Sequence, residues 1–307
     1  MLKRGEEEMQ RKHPGPRFPL IGAHMSIAGG TYNALLDGEA VGCAAIQIFA
    51  SSNTQWHAKI PGDGEVMKFR REQERTGIAP VIAHNCYLVN LASPDETVYQ
   101  KSLARMKIEI EICDRLGLPY LVMHPGSHKG QGMAKGIRQV AGAINELLEN
   151  SRVRVLYETT AGQGTSIGFT FEQMAELMSL ARDKVRVGVC YDTCHAFAAG
   201  YDIRTPRAYR ETMRHFDNLV GLGKICAFHF NDSLRELGSR IDRHEHIGRG
   251  RLGEAAFRNI LRDERFRDAP KILETPKGRG MYWDRRNLAL LRRLAAPSAR
   301  RATKRFS

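Results

Sequence analysis

The chain is short of several things, and each shortage narrows what it can be. Its six cysteines (43, 86, 113, 190, 194 and 226) form no CxxC pair and mostly sit in or beside apolar runs. They read as reduced, buried small side chains of a protein in a reducing cytosol. Long hydrophobic runs are missing too: the longest, AVGCAAIQIFA at 40–50, is too short to span a bilayer. The amino terminus, MLKRGEEEMQRKHPGPR, has no apolar signal core and carries three consecutive glutamates, which argues against secretion or organelle import. No membrane partner is expected, and the location is cytoplasmic. No GxGxxG follows the first β-rich run, so no nucleotide cofactor is expected. There is also no low-complexity linker. Acid is scarce: 34 Asp and Glu against 47 Lys and Arg leave a net charge of +13. Such a surplus favours a polyanionic partner, nucleic acid being the commonest, over the blander role of solubility.

What is present is a substantial core. Hydrophobic residues make up 42% of the 307, enough for a single large domain. Eight runs rich in Val and Ile recur with helix-length segments between them: FPLIGAH (18–24), AAIQIF (44–49), PVIAH (80–84), YLVMH (120–124), VRVLYE (153–158), VRVGVCYD (185–192), ICAFHF (225–230) and PKILE (270–274). They read as buried parallel strands. Ser93-Pro94-Asp95-Glu96 predicts a capping box with Pro94 at the first helical position, opening a helix to about Leu116; Thr170 with Gln173, and Thr205-Pro206, open two more. Eight strands alternating with helices predict an α/β fold, a (β/α)8 TIM barrel, with an open doubly wound sheet as the alternative. The barrel is expected over 18–294, with flexible polar tails at 1–17 and 295–307, the latter basic.

Chemistry in such a barrel gathers at the carboxyl ends of the strands. The third to eighth predicted strands end on His84, His124, Glu158, Asp192, His229 and Glu274. One such residue commonly caps a helix or ties down a loop. Six in succession would be prohibitively costly to bury together without positive charge among them, and a metal cluster supplies it. Imidazole and carboxylate without thiolate suit Zn2+, Mn2+ or Fe. The long loop after the seventh strand adds Asp242 and His244, two apart and able to face one side, and His195 follows from the loop after Asp192. Nothing marks Cys190 or Cys194 as an activated thiolate.

The segments GAHMSIAGG (22–30), HNCYLVNLASP (84–94), HPGSH (124–128), ETTAGQG (158–164), GVCYDTCHAFAAGYD (188–202), HFND (229–232), GSRIDRHEHIGRG (238–250) and LETPKG (273–278) together resemble the endonuclease IV family of metal-dependent apurinic/apyrimidinic (AP) endonucleases. The resemblance spans almost the whole barrel. It implies three zinc ions per chain at the barrel mouth, with manganese or iron possible at some sites. His84 and His124 would bind the first, Asp192, His229 and Glu274 the second, with Glu158 bridging these two, and His195, Asp242 and His244 the third.

The activity implied is DNA repair by cleavage of duplex DNA on the 5′ side of an abasic site, leaving a 3′-hydroxyl and a 5′-deoxyribose phosphate, with 3′-end cleaning beside it. The reaction would use a metal-bound hydroxide oriented by the catalytic residues Glu158 and Glu274. Tyr87 and Leu88 match the family positions that wedge into the base stack. His24, Asn53, Arg243 and Arg249 are the other candidate DNA contacts, and Arg251, Lys277 and Arg279 share the loops beside the mouth. The family is generally monomeric, and nucleoid association would follow from DNA binding. Thr54 departs from the pattern, because some members carry an intercalating arginine there; Thr159 stands where a related pattern has Asn.

Two other readings stay open. A sugar isomerase or epimerase on the same barrel would need only one metal, held by Glu158, Asp192, His229 and Glu274. A DNA-binding protein with structural metals would ordinarily use closed, thiolate-rich sites.

Overall fold

A computed structural model describes residues 19–296; the expected tail 1–17 and residues 297–307 of the other lie outside them, and Ala295, expected to begin that second tail, ends the last helix. Eight parallel strands close into a barrel: β1 (Ile21–Met25), β2 (Ala45–Phe49), β3 (Val81–His84), β4 (Tyr120–Met123), β5 (Arg154–Glu158), β6 (Val187–Asp192), β7 (Ile225–Phe230) and, last in the chain, β10 (Lys271–Leu273), which pairs with β1. Between β7 and β10, the short strands β8 (Asp232–Ser233) and β9 (His244–Glu245) pair antiparallel. The helices are α1 (Asn33–Val41), α2 (Asp63–Thr76), α3 (Glu96–Leu116), α4 (Met133–Leu147), α5 (Phe171–Ser179), α6 (Thr193–Ala199), α7 (Pro206–Leu219), α8 (Gly253–Leu261) and α9 (Tyr282–Ala295). The predicted barrel is thus observed. Among the described residues, no helix is long and apolar enough to cross a membrane.

The caps follow short-range chemistry, with one correction. Thr170 accepts a hydrogen bond from the Gln173 amide, and Thr205 one from the Ala208 amide with Pro206 opening α7. On α3 the cap is Asp95, whose side chain accepts from the Val98 amide. Ser93 and Pro94 lie before the helix, and the Ser93 hydroxyl accepts from the Asp95 amide instead. Two candidate caps compete there, and the one adjacent to the first helical turn wins.

The strands alternate sides, and that period of two builds the site. A small inner cluster draws on seven strands: Ala45, Ile82, Val122, Leu156, Cys190, Ala227 with its neighbour Cys226, and Ile272. Gly22 is the β1 residue in register with Ala45 and Ile272. The residues two further along each strand direction are His24, Gln47, His84, His124, Glu158, Asp192, His229 and Glu274. One apolar layer therefore plugs the barrel, and a complete polar ring sits directly above it. Outward-facing residues such as Tyr157, Tyr191 and Phe228 belong to the larger core between strands and helices.

Candidate metal centre

Glu158, at the end of β5, is fully buried and stands at the middle of the ring. Its Oε2 lies 3.1 Å from His84 Nε2 and 3.2 Å from His124 Nε2. Its Oε1 lies 3.0 Å from His229 Nδ1 and 3.1 Å from His195 Nδ1. His229 Nδ1 is also 3.1 Å from Glu274 Oε2 and 3.8 Å from Asp192 Oδ2. Beside them, Asp242 Oδ2 is 3.1 Å from His195 Nε2, and Asp242 Oδ1 is 3.3 Å from His244 Nε2. All nine residues singled out in the sequence are brought together. Ligand atoms of His84, His124 and Glu158 converge within 4.8 Å, as do those of Glu158, Asp192, His229 and Glu274, so Glu158 belongs to both groups. Asp192 also converges with His195 and His244, and Asp242 with His244 and Cys194.

Two of these residues, His195 and His244, lie on regular elements rather than in the loops expected for them. His195 lies in the first turn of α6, because Asp192 ends β6 and caps that helix at once, its Oδ1 accepting from the His195 amide at 2.8 Å. His229 lies inside β7, with Phe230 after it, and His244 is on β9. Asn231 then holds Asp192 from behind, donating to its Oδ2 at 2.7 Å, and accepts from the Glu274 amide at 2.9 Å.

Carbonyl and amide oxygens can only accept, so they fix where the imidazole protons are. His84 Nδ1 donates to the Asn85 carbonyl at 2.8 Å, His195 Nδ1 to the Thr159 carbonyl at 2.9 Å, and His244 Nδ1 to the Glu274 carbonyl at 3.4 Å. His229 Nε2 donates to Gln47 Oε1 at 2.8 Å. In each neutral ring the remaining nitrogen is a bare lone pair aimed into the centre. His195 Nε2 and His244 Nε2 face each other at 3.4 Å. Two lone pairs at that distance, ringed by carboxylates, require a proton or a cation among them. This is the arrangement expected around metal-ligating histidines, whose outer N–H is held by an acceptor. The donor set therefore fits divalent cations.

Electrostatics without metal point the same way. Burial alone would raise Glu158, yet His229 and His124 outweigh it and hold its carboxyl well below the usual range. Glu274 is lowered likewise, His229 overcoming burial. Burial alone would lower His229 and His195, but Cys190, Glu158 and Glu274 around the first, and Asp192 and Asp242 around the second, push both well above the ordinary imidazole value. Asp242 falls to about 2, its hydrogen bond with His195 outweighing burial. Burial pushes Cys190 and Cys194 up to about 12, so neither is a ready thiolate.

A cavity of about 340 Å3 opens above His84, His124, His195 and Asp242, with Tyr87, Lys129 and Gln163 on its walls. Tyr87 is 64% exposed, too much for a core residue, and its ring centroid is 5.1 Å from that of Phe49 and 6.0 Å from that of His84. Leu88 is half-buried against the core. Asn53 is half-buried, with its carbonyl accepting from the Tyr87 amide, and Thr54 is exposed. His24 belongs to the ring; its Nδ1 is 3.0 Å from Gln47 Nε2, and burial lowers its pKa. Arg243 is exposed. Arg249 lies over Trp283 at 4.3 Å and does not line the cavity. Arg251 and Lys277 are already paired, with Glu236 and Asp284. His246 is stacked on Trp283 at 4.0 Å and is structural.

Sequence reasoning missed Gln47 and Asn231. A glutamine inside the apolar run AAIQIF was the available signal for the first; Asn231 carried none beyond its place beside His229.

A family model described as "Xylose isomerase-like TIM barrel" matches residues 37–296. The "Probable endonuclease 4" of Chloroflexus aurantiacus is 51% identical over 280 residues, which cover 90% of this chain and 98% of that protein. That of Geobacter sulfurreducens is 50% identical over 288 residues, covering 92% and 96%. The crystal structure of endonuclease IV from Thermus thermophilus superposes with a TM-score of 0.80 at 37% identity, covering 90% of this chain and 98% of that one. The chain belongs to the endonuclease IV family. The resemblance read from eight scattered motifs therefore holds along the chain. Solved structures of the sugar-epimerase kind are at most 17% identical where their names say so, and share the fold alone.

Proposed function

We propose that this protein is a metal-dependent endonuclease that hydrolyses duplex DNA on the 5′ side of abasic sites, leaving a 3′-hydroxyl and a 5′-deoxyribose phosphate. The observation that carries the reading is the set of imidazole nitrogens turned inward around Glu158, each ring held by an acceptor on its other nitrogen. The endonuclease relatives supply the substrate class.

Three zinc ions per chain are proposed, with manganese or iron possible at some positions. His84 and His124 would hold one, Asp192, His229 and Glu274 a second, and His195, Asp242 and His244 a third, with Glu158 between the first two. Divalent cations held there lower the pKa of bound water to about 7 and neutralise charge on a phosphoryl oxygen. Glu158 and Glu274 would orient the attacking water by accepting its hydrogen bonds, since the surrounding imidazoles keep both carboxyls ionised. Tyr87 and Leu88 would enter the gap left by the extruded abasic nucleotide, which stacks poorly and is cheap to flip. His24, Asn53, Arg243 and Arg249 are proposed to contact the backbone. Cleaning of blocked 3′ ends, a monomeric state and a cytoplasmic, nucleoid-associated location belong to the same proposal.

A sugar isomerase would use Glu158, Asp192, His229 and Glu274, and would leave the inward nitrogens of His84, His195 and His244 without a task. Elemental analysis paired with nicking of a duplex containing one abasic analogue, with and without chelator, separates the readings. About three metals per chain and chelator-sensitive nicking are expected. Glu158→Gln should lower nicking by about 10³-fold while still binding the abasic duplex. One metal per chain, or near-normal nicking by Glu158→Gln, would overturn the proposal.

A further inference from the structure

Arg105 and Glu109 lie one turn apart on α3, with no part in the metal centre. Both side chains are completely buried, and Arg105 Nε donates to Glu109 Oε1 at 2.9 Å. A buried ion pair contributes little net stability by itself, so what else it binds matters more.

The rest of the guanidinium is spent on one loop. Arg105 Nη1 donates to the carbonyls of Gln55 (3.0 Å), Trp56 (3.4 Å) and His57 (3.0 Å), and Nη2 to the Ser52 carbonyl (2.7 Å) and the Ser51 hydroxyl. Residues 51–57 contain no helix or strand. Four of their carbonyls, which a sheet or helix would normally satisfy, are satisfied by this one side chain. Glu109 holds a second loop, its two oxygens accepting from the Cys86 amide at 3.0 and 3.3 Å. The loops are also tied to each other, since the Tyr87 amide donates to the Asn53 carbonyl at 3.3 Å and Cys86 Sγ to the same oxygen at 3.1 Å. Exposed Tyr87 and Thr54 are the tips of this assembly.

We propose that Arg105 and Glu109 are positioning residues that join the loop 51–57 and the loop 86–88 into one stiff edge, against which duplex DNA is unstacked at the abasic site. The inference rests on the DNA-cleaving function proposed above. Unstacking a base step costs a few kcal/mol, so an edge made of independent loops would yield before the duplex did. Stiffness is needed all the more because Thr54 is too short to fill the gap itself. Arginine suits the task, because its planar fork reaches several carbonyls at once, whereas lysine offers one point charge.

The test uses the full-length metal-loaded protein and a duplex with a tetrahydrofuran abasic analogue flanked by 2-aminopurine, whose fluorescence rises on unstacking. Arg105→Lys keeps a cation beside Glu109 and so leaves no buried carboxylate unpaired, and Glu109→Gln is the second variant. Both should keep wild-type metal content. Both should show a reduced fluorescence rise and a KM for the duplex raised about tenfold or more. Placing the abasic analogue in a short mismatched bubble, where no stacked pair opposes extrusion, should restore cleavage toward wild type. Wild-type fluorescence and KM in both variants, or an equal loss on duplex and bubble, would overturn the inference. Failure of the wild-type protein to nick the duplex would instead remove the functional proposal beneath it.

Discussion

His229 has two ring nitrogens, and Gln47 decides which of them faces the carboxylates. Gln47 Nε2 donates to Glu274 Oε1 at 2.7 Å, which turns its Oε1 toward His229 Nε2. An amide oxygen accepts only, so the proton is held on Nε2 and Nδ1 is left for the centre. Gln47→Leu removes that hold and should weaken metal binding about 10- to 100-fold, read by competition with a chromogenic chelator. Lys271 illustrates a different residue-scale effect, outside the polar ring. Only 1% exposed on the outer side of β10, it donates to the carbonyls of Phe266 and Arg267. Burial pushes its ammonium down from 10.5 to about 8. The folded chain therefore releases this proton before the unfolded chain does, and stability rises with pH between those two values. Lys271→Met should lack that rise, a difference on the order of 3 kcal/mol, measurable by denaturant unfolding at pH 7.5 and 10.5 in parallel with wild type.

At the scale of the element, β1 contributes by what it omits. In the apolar layer under the polar ring, its position is Gly22, and an added Cβ there would lie 1.5 Å from the Ala45 carbonyl oxygen. That oxygen is backbone and cannot swing away. Gly22→Ala should force β1 off β2, destabilising the barrel by about 3 kcal/mol or more; a melting temperature equal to wild type would refute this. The same strand carries His24 into the ring, so the damage should extend to that side of the mouth. β6 shows the opposite economy, since Asp192 both faces the centre and caps α6, which carries His195.

For the whole molecule, the positive charge is dispersed. Arg251 and Lys277 near the mouth are already neutralised by carboxylates, and the exposed cations on that side include Arg243, Arg249, Arg279 and Lys129. The segment after Ala296 adds Arg300, Arg301, Lys304 and Arg305. Ending the chain at Ala296 should flatten the salt dependence of DNA binding by about 0.9 in log–log slope for each phosphate the segment had neutralised, measured by fluorescence anisotropy across salt concentrations. The position of cleavage should not change, because the mouth is untouched.

All eight strands, the ring members at six of their ends, and the family were legible in the chain. Buried parallel strands are written as short β-branched runs, and a barrel puts the residue two past each plug side chain into its mouth. Gln47 was not legible, because a lone amide in an apolar strand has no meaning until β2 lies between His24 and the Glu274 strand. Nor could spacing reveal Arg105 and Glu109, which act on loops about 50 and 23 residues away. Sequence alone determined which groups could bind cations, since chemistry and strand periodicity are local properties. Only the tertiary structure decided which nitrogen of His84, His195, His229 and His244 faces the centre, and which helix holds the loops 51–57 and 86–88. Both depend on acceptors brought from distant strands and loops by closure of the barrel.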